Sequence, residues 1–255
     1  MLRLLALAIS HFVLVLARLP TDPCEDWRNV SRGLCSFYVG ADDTPLTSYQ
    51  FSQTGNTNLS ILALADCELT VVAVGGGGYA DIGGGGSGYV VRSSLPVLTS
   101  ALVVRVGGRG ETSSLQTTDG ETVIAAPPGG NGNYYDGGAG YSGGGGGSFS
   151  FRGGDGGADG GDGTESTSGE PGGAGSRLDI TSLSSLQFSL SPGLGGKGSG
   201  VESGGEGGGG GGGVMVGGSG PQETVYDGQG YGGGGSYQGG HPGPGLVLLE
   251  IKLKQ

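Results

Sequence analysis

The sequence predicts a mainly β protein whose glycine-rich stretches pack as extended threefold helices, and three observations predict it. Glycine fills 65 of 255 positions, about a quarter, against an average usage of ~7%. At a cost of ~1 kcal/mol per helical position relative to alanine, that content disfavours helical bundles and coiled coils. No Gly-X-Y period runs along the chain and only 11 prolines are present, so a collagen triple helix is excluded. The glycine runs also alternate with apolar pieces of strand length, which a disordered low-complexity chain lacks.

In chain order, residues 1–17 read MLRLLALAISHFVLVLA. A basic Arg3, an apolar stretch from Leu4 to Leu16, and the short side chains of Val15 and Ala17 make a secretory signal peptide, cut after Ala17. Residues 18–47 form a cysteine-containing N-terminal segment, and 48–255 a glycine-rich β domain. Gln50-Phe51, Leu59–Leu64 and Leu69–Val74 read as strands, the last just past an Asp66-Cys67 turn. From Gly75 on, glycine dominates. Strand-length pieces recur at Tyr89–Arg92, Leu102–Val106, Thr122–Ala125, Ser148–Phe151, Leu186–Leu190 and Leu246–Leu253. In the last, Val247, Leu249, Ile251 and Leu253 share one face and Leu248, Glu250 and Lys252 the other, the pattern of a half-buried closing strand.

Between these pieces lie glycine tracts at 83–86, 143–147, 207–213 and 232–235. Lacking Cβ, such a tract can adopt a threefold extended helix of polyproline II type, rising ~3.1 Å per residue with no internal hydrogen bonds. Side by side, several can exchange N–H···O=C bonds and Cα–H···O contacts at an approach that only glycine permits. Ordering glycine costs more backbone entropy than ordering any other residue, so the bundle needs an anchoring core, which the strands supply.

The run Leu69-Thr70-Val71-Val72-Ala73-Val74 into Gly75-Gly76-Gly77-Gly78 carries a resemblance, continued by Gly85-Gly86-Ser87-Gly88-Tyr89-Val90-Val91, the Val106-Gly107-Gly108-Arg109-Gly110 step, Ile124-Ala125-Ala126-Pro127-Pro128-Gly129-Gly130 and the closing Gly245–Ile251 strand. Over residues 48–253 the chain resembles the glycine-rich domain of secreted and phage-tail proteins and of the ectodomains of the anaplastic lymphoma kinase and leukocyte tyrosine kinase receptors. The resemblance implies a β-sandwich-like core with polyglycine II-type helices bundled in long insertions and long glycine loops. The receptors carry further cysteines in this region, whereas none follows Cys67 here, and no kinase is present, so receptor activity is not implied.

Twelve basic against 23 acidic residues leave a net charge of −11, or −12 once Arg3 departs with the signal. A surface of that sign repels phosphate backbones, so nucleic acid is not an expected partner. Arg152-Gly153-Gly154 is the one Arg-Gly-Gly triplet and is followed by Asp155, Asp159 and Asp162. Those three carboxylates are weak calcium candidates: the stretch is similar to calcium-binding nonapeptide repeats, but Ala158 stands where the register needs aspartate. No other cofactor is expected. Past the signal the only histidine is His241, in a turn-like Gly-Gly-His-Pro-Gly, so neither a Ser-His-Asp nor a Cys-His site nor a zinc site can be assembled, and no enzyme is expected. Gly-x-Gly-x-x-Gly matches such as Gly138–Gly143 follow from glycine abundance alone and lack the strand–helix context of a dinucleotide site.

Asn29-Val30-Ser31 and Asn58-Leu59-Ser60 are glycosylation sequons suited to a secreted chain. Of Cys24, Cys35 and Cys67, either a Cys24–Cys35 or a Cys35–Cys67 bridge can form, and the odd thiol is a route to a disulfide-linked dimer. No later segment is apolar over ~20 residues, so no membrane insertion is expected. Tyrosines 79, 89, 134, 135, 141, 226, 231 and 237 flank the glycine tracts and either present phenols for cross-linking or cover glycine backbone, the latter favoured. The expectation is a secreted structural protein of the extracellular matrix, in a mineralised or adhesive secretion, whose partners are other matrix proteins. The alternative is a soluble extracellular module that recognises a protein or glycan.

Overall fold

A computed structural model describes residues 34–97, 101–133, 136–140, 188–192, 195, 211, 214–216, 228–235 and 241–254. The protein is mainly β, with antiparallel sheets. Its strands are β1 (Cys35–Val39), β2 (Ser48–Phe51), β3 (Gly55–Ala63), β4 (Cys67–Val74), β5 (Val90–Pro96), β6 (Ala101–Val106), β7 (Ser113–Thr117), β8 (Thr122–Ala126), β9 (Leu190–Pro192), β10 (Val214–Val216) and β11 (Leu246–Leu253). A five-stranded sheet runs β1-β3-β6-β7-β8, a four-stranded sheet β2-β11-β4-β5, and β9 pairs with β10 alone.

Period-two alternation places the strands of the five-stranded sheet. In β3, Leu59 and Ile61 are buried while Asn58 and Ser60 face water; in β6, Leu102, Val104 and Val106 are buried while Arg105 is exposed. These inward residues join Cys35 and Phe37 of β1, Leu115 of β7, and Ile124 and Ala126 of β8. From the four-stranded sheet, Phe51, Leu69, Val71, Ala73, Val247, Leu249 and Ile251 complete the same cluster. One core therefore serves both sheets. The Cys35–Cys67 disulfide ties β1 of one sheet to β4 of the other, which decides between the two bridges open to the sequence; Cys24 lies outside the described residues.

The continuous apolar run of β4 and the character of β11 have one cause, which is burial on both faces. Val72, Val74, Val90, Leu246 and Leu248 point away from the shared core into a second cluster, against which Phe188, Leu190, Val216 and Tyr231 pack. The half-buried closing strand expected from alternation is thus corrected. Leu246–Glu250 are buried throughout, because β11 lies between β2 and β4 and the β9–β10 pair covers its second face.

Other boundaries differ from the expected ones. Strand β3 starts at Gly55 and β9 at Leu190, rather than at Leu59 and Leu186. Strands β1, β7 and β10 were not legible, and Ser148–Phe151 lies outside the described residues. Strand β1 is N-terminal to residue 48, yet pairs with β3 from Cys35↔Ala63 to Val39↔Leu59.

Candidate functional site

The distinctive construction lies where the strands run out. Val74, Val90 and Leu246 end one row of the four-stranded sheet, and Arg105, Ser114 and Ala125 stand in register near the corresponding end of the five-stranded sheet. Beyond them the chain continues as glycine-rich segments, among them 75–78, 83–88, 107–111, 127–133, 228–235 and 243–245, which bond to one another chiefly through backbone groups.

The directions of those bonds recur every third residue. Gly75 and Gly78 donate to Tyr89 and Gly86, one neighbouring segment, while between them Gly76 donates to Glu111 and Gly77 to Gly243. Gly85 and Gly88 donate to Gly235 and Gly232; Gly86 and Tyr89 to Gly130 and Pro127; Gly129 and Gly132 to Gly76 and Tyr79; Gly130 and Asn133 to Ala139 and Asp136. The donor–acceptor distances in these pairs run from 2.6 to 3.0 Å, at the short end of N–H···O bonds. Segment 75–78 donates to three neighbouring segments and to none of its own carbonyls, whereas 107–111 and 228–235 also turn back on themselves, Glu111 N donating to Gly108 and Gly228 N to Gly234.

Side chains are excluded by the same packing. A Cβ on Gly75 would lie 1.9 Å from the Pro127 carbonyl oxygen, on Gly76 2.0 Å from that of Gly108, on Gly77 1.8 Å from that of Gly233, and on Gly78 2.1 Å from that of Gly130. Four consecutive residues thus each meet a carbonyl of another segment, 127–133 for Gly75 and Gly78, 107–111 for Gly76 and 228–235 for Gly77, and the requirement for glycine holds on every side of the tract. Gly232, at φ +74°, adds a left-handed turn whose Cβ would also meet the Gly75 carbonyl, at 2.7 Å. Where a side chain does enter, it is small and bonded. Ser113 is fully buried, and its Oγ accepts from Gly107 N at 3.0 Å. No sequence pattern marked Ser113 for this place.

Among the described tyrosines Tyr49, Tyr79 and Tyr89 are exposed, while Tyr38 and Tyr231 are half-buried. The Tyr79 ring comes within 2.9 Å of where a Gly110 Cβ would be, and its hydroxyl reaches the Arg109 carbonyl at 3.4 Å. Tyr231 packs on the second cluster and accepts from the Gln50 amide at 3.5 Å. Tyr89 and Tyr79 keep 36% and 47% of their surface exposed, so both phenols stay partly open to solvent while Tyr79 also covers glycine. Tyrosines 134, 135, 141, 226 and 237 lie outside the described residues.

Asn58 stands exposed on β3, with Ser60 of its sequon exposed beside it; Asn29, Asp155, Asp159, Asp162, the Arg152 triplet and the signal segment lie outside the described residues. His241 is exposed, just before the bonds that Gly243 and Pro244 make to Gly233 and Gly232. Among the described residues no group of three or more His, Cys, Asp or Glu side chains is placed to hold a metal ion, and no helix is long and apolar enough to cross a membrane. Two carboxylates titrate below their ordinary range, both in exposed turns. The Thr44 hydroxyl and amide donate to Asp42, and the Thr117 hydroxyl, with the Asp119 backbone, holds Asp119.

Comparison with protein-family models, with curated proteins and with solved structures returned no match. The construction on display is a set of glycine segments, bonded to one another at the ends of two sheets, in which glycine is a packing requirement.

Proposed function

We propose that the protein is a secreted, non-catalytic structural component of an extracellular matrix, deposited in a mineralised or adhesive secretion, and that its glycine segments form a bundle of polyglycine II-type helices mounted on a β-sandwich. The observation that carries the reading is the threefold recurrence of inter-segment bonds together with carbonyls at 1.8–2.1 Å from every Cβ position of residues 75–78. Segments held this way on several sides resist extension without any ligand. The same architecture is what the resemblance to glycine-rich receptor and phage-tail domains implies.

An acidic chain of net charge −11 with two sequons suits a hydrated matrix and disfavours nucleic acid. Its partners are then other matrix proteins, with Cys24 available for a disulfide between chains and Asp155, Asp159 and Asp162 for loosely held calcium. Extraction from the source tissue tests the reading. A structural component stays with the insoluble fraction until reductant or denaturant is applied. Recovery as a freely soluble protein at fixed stoichiometry with one receptor or glycan would replace this reading with that of a binding module.

A further inference from the structure

The chain contains one Asn-Gly step, Asn131-Gly132, and it lies inside the bundle. Asn131 is exposed and Gly132 buried. One backbone unit grips both partners of the step. The Tyr79 N–H donates to Asn131 Oδ1 at 2.9 Å, and the Gly132 N–H donates to the Tyr79 carbonyl at 2.8 Å. On its other side Gly132 is pressed against segment 83–88, so that a Cβ there would lie 2.0 Å from the Gly83 carbonyl oxygen.

From this geometry we infer that Asn131-Gly132 is a latent deamidation site that the bundle holds closed and that converts only when the bundle opens. The reaction needs no cofactor. The Gly132 nitrogen gives up its proton to solvent base and attacks Asn131 Cγ; the N–Cγ bond forms, the Cγ–Nδ2 bond breaks, and the amide nitrogen takes a proton from solvent and leaves as ammonia. Water then adds to one of the two carbonyls of the resulting five-membered imide and opens it to an aspartyl or an isoaspartyl residue. Glycine in the second position places no side chain in the way of ring closure, and that same missing Cβ lets the Gly83 carbonyl come close in the folded state. While the segments are closed, the attacking nitrogen is committed to the Tyr79 carbonyl and the Tyr79 N–H pins the Asn131 carboxamide, so the nitrogen must leave its partner before the ring can close.

The consequence is one-way. An aspartyl product keeps an oxygen for the Tyr79 N–H and adds one negative charge. An isoaspartyl product inserts an extra backbone carbon between positions 131 and 132, which moves Gly132 out of register with the Tyr79 carbonyl and prevents the bundle from closing as before. In a long-lived protein the site records how often this region has opened, whether or not the matrix reading is right.

Peptide mapping by mass spectrometry tests this on the full chain incubated at mildly alkaline pH, beside the same chain in guanidinium and a synthetic peptide spanning 127–137. Reaction through an open state is slowed by the closed-to-open ratio, so the native chain should deamidate at least roughly tenfold more slowly than the peptide, and the denatured chain at the peptide's rate. Tyr79→Pro, which deletes the N–H that holds Asn131, should bring the native rate toward the peptide's, whereas Tyr79→Phe should leave it slow. Should the proline variant fail to fold, the parent's deamidation in rising denaturant must follow the opening measured by exchange of the Gly132 amide. A native chain that reacts as fast as the peptide, or a denatured chain as slow as the native one, overturns the inference.

Discussion

Replacing Gly77 by alanine isolates the packing claim in one methyl group. That methyl would sit 1.8 Å from the Gly233 carbonyl oxygen and 2.5 Å from its carbon, so one of two backbones must move by roughly 1 Å or more before the contact becomes ordinary. Neither is free to do so. Gly77 donates to Gly243 and accepts from Gly110, and the Gly233 carbonyl accepts from Gly243, so a shift stretches two or three bonds at once. Each contributes a net ~1 kcal/mol, and overpacking adds about 1–3 kcal/mol. The expected loss is therefore about 3–6 kcal/mol, a large share of the roughly 5–15 kcal/mol typical of a domain. Two controls separate this from a general cost of removing glycine. At Gly108 the nearest atoms to an added Cβ are Glu111 side-chain atoms at 3.7 Å, so alanine should be neutral or stabilise by up to ~1 kcal/mol through the unfolded chain. At Gly120 nothing lies within 4 Å but φ is +91°, so alanine should cost only backbone strain, about 1–2 kcal/mol. Urea melts of the full chain followed by circular dichroism measure all three. If Gly77→Ala and Gly108→Ala melt together, residues 75–78 are not packed against fixed neighbours and the bundle argument fails.

Three further outcomes follow. Replacing Cys35 and Cys67 together by serine opens a link between residues 32 apart and should cost about 3–4 kcal/mol on the chain-entropy account, read as a lower denaturation midpoint that added reductant no longer shifts. Because Asp42 and Asp119 have folded-state pKa values below the ordinary 3.8, the stability they contribute is present above that value and fades as pH falls through the folded one. A double Asp42→Asn, Asp119→Asn variant should accordingly lose less of its urea midpoint than the parent on acidification from about pH 6 to about pH 2.5, and an equal loss would count against those two turns. Expressed through a secretory pathway, the chain should carry a glycan at Asn58, seen as a mass decrease on enzymatic deglycosylation and removed from that peptide by Asn58→Gln.

Strands built from apolar residues over strand length were legible in the sequence: β4, β6, β8 and β11 were found within a residue or two, whether the pattern alternates, as in β6, or runs apolar on both faces, as in β4. What stayed hidden depends on partners far along the chain. Strand β7, Ser-Ser-Leu-Gln-Thr, has a single large apolar residue, Leu115, and becomes a strand because β6 and β8 bond it on both sides. Strand β1 is short, and its place in the core is fixed by pairing with β3 and the bridge to Cys67. The second face of β11 looked exposed because its cover, the β9–β10 pair, is built from two three-residue pieces 21 residues apart, counting from Pro192 to Val214 as 22 sequence steps.

The candidate site shows the same division between composition and contact. Glycine abundance predicted close approach between segments, but of the longest tract, 207–213, only Gly211 is among the described residues, bonded between Gly85 and Gly234. Among the described residues 75–78 is crowded at four successive positions, although its sequence carries no more glycine than several others. Its position explains the difference: it leaves β4, a central strand, and so enters the bundle with neighbours on every side. Threefold geometry by itself predicts damage at every third substitution, with outward positions tolerated. Enclosure changes that pattern, because the Cβ directions of Gly75, Gly76, Gly77 and Gly78 each end on a carbonyl of another segment. Alanine at any of the four should therefore destabilise, with no tolerated position among them. A scan that found one neutral residue in the four would mean that the tract has an open side and lies at the bundle's edge.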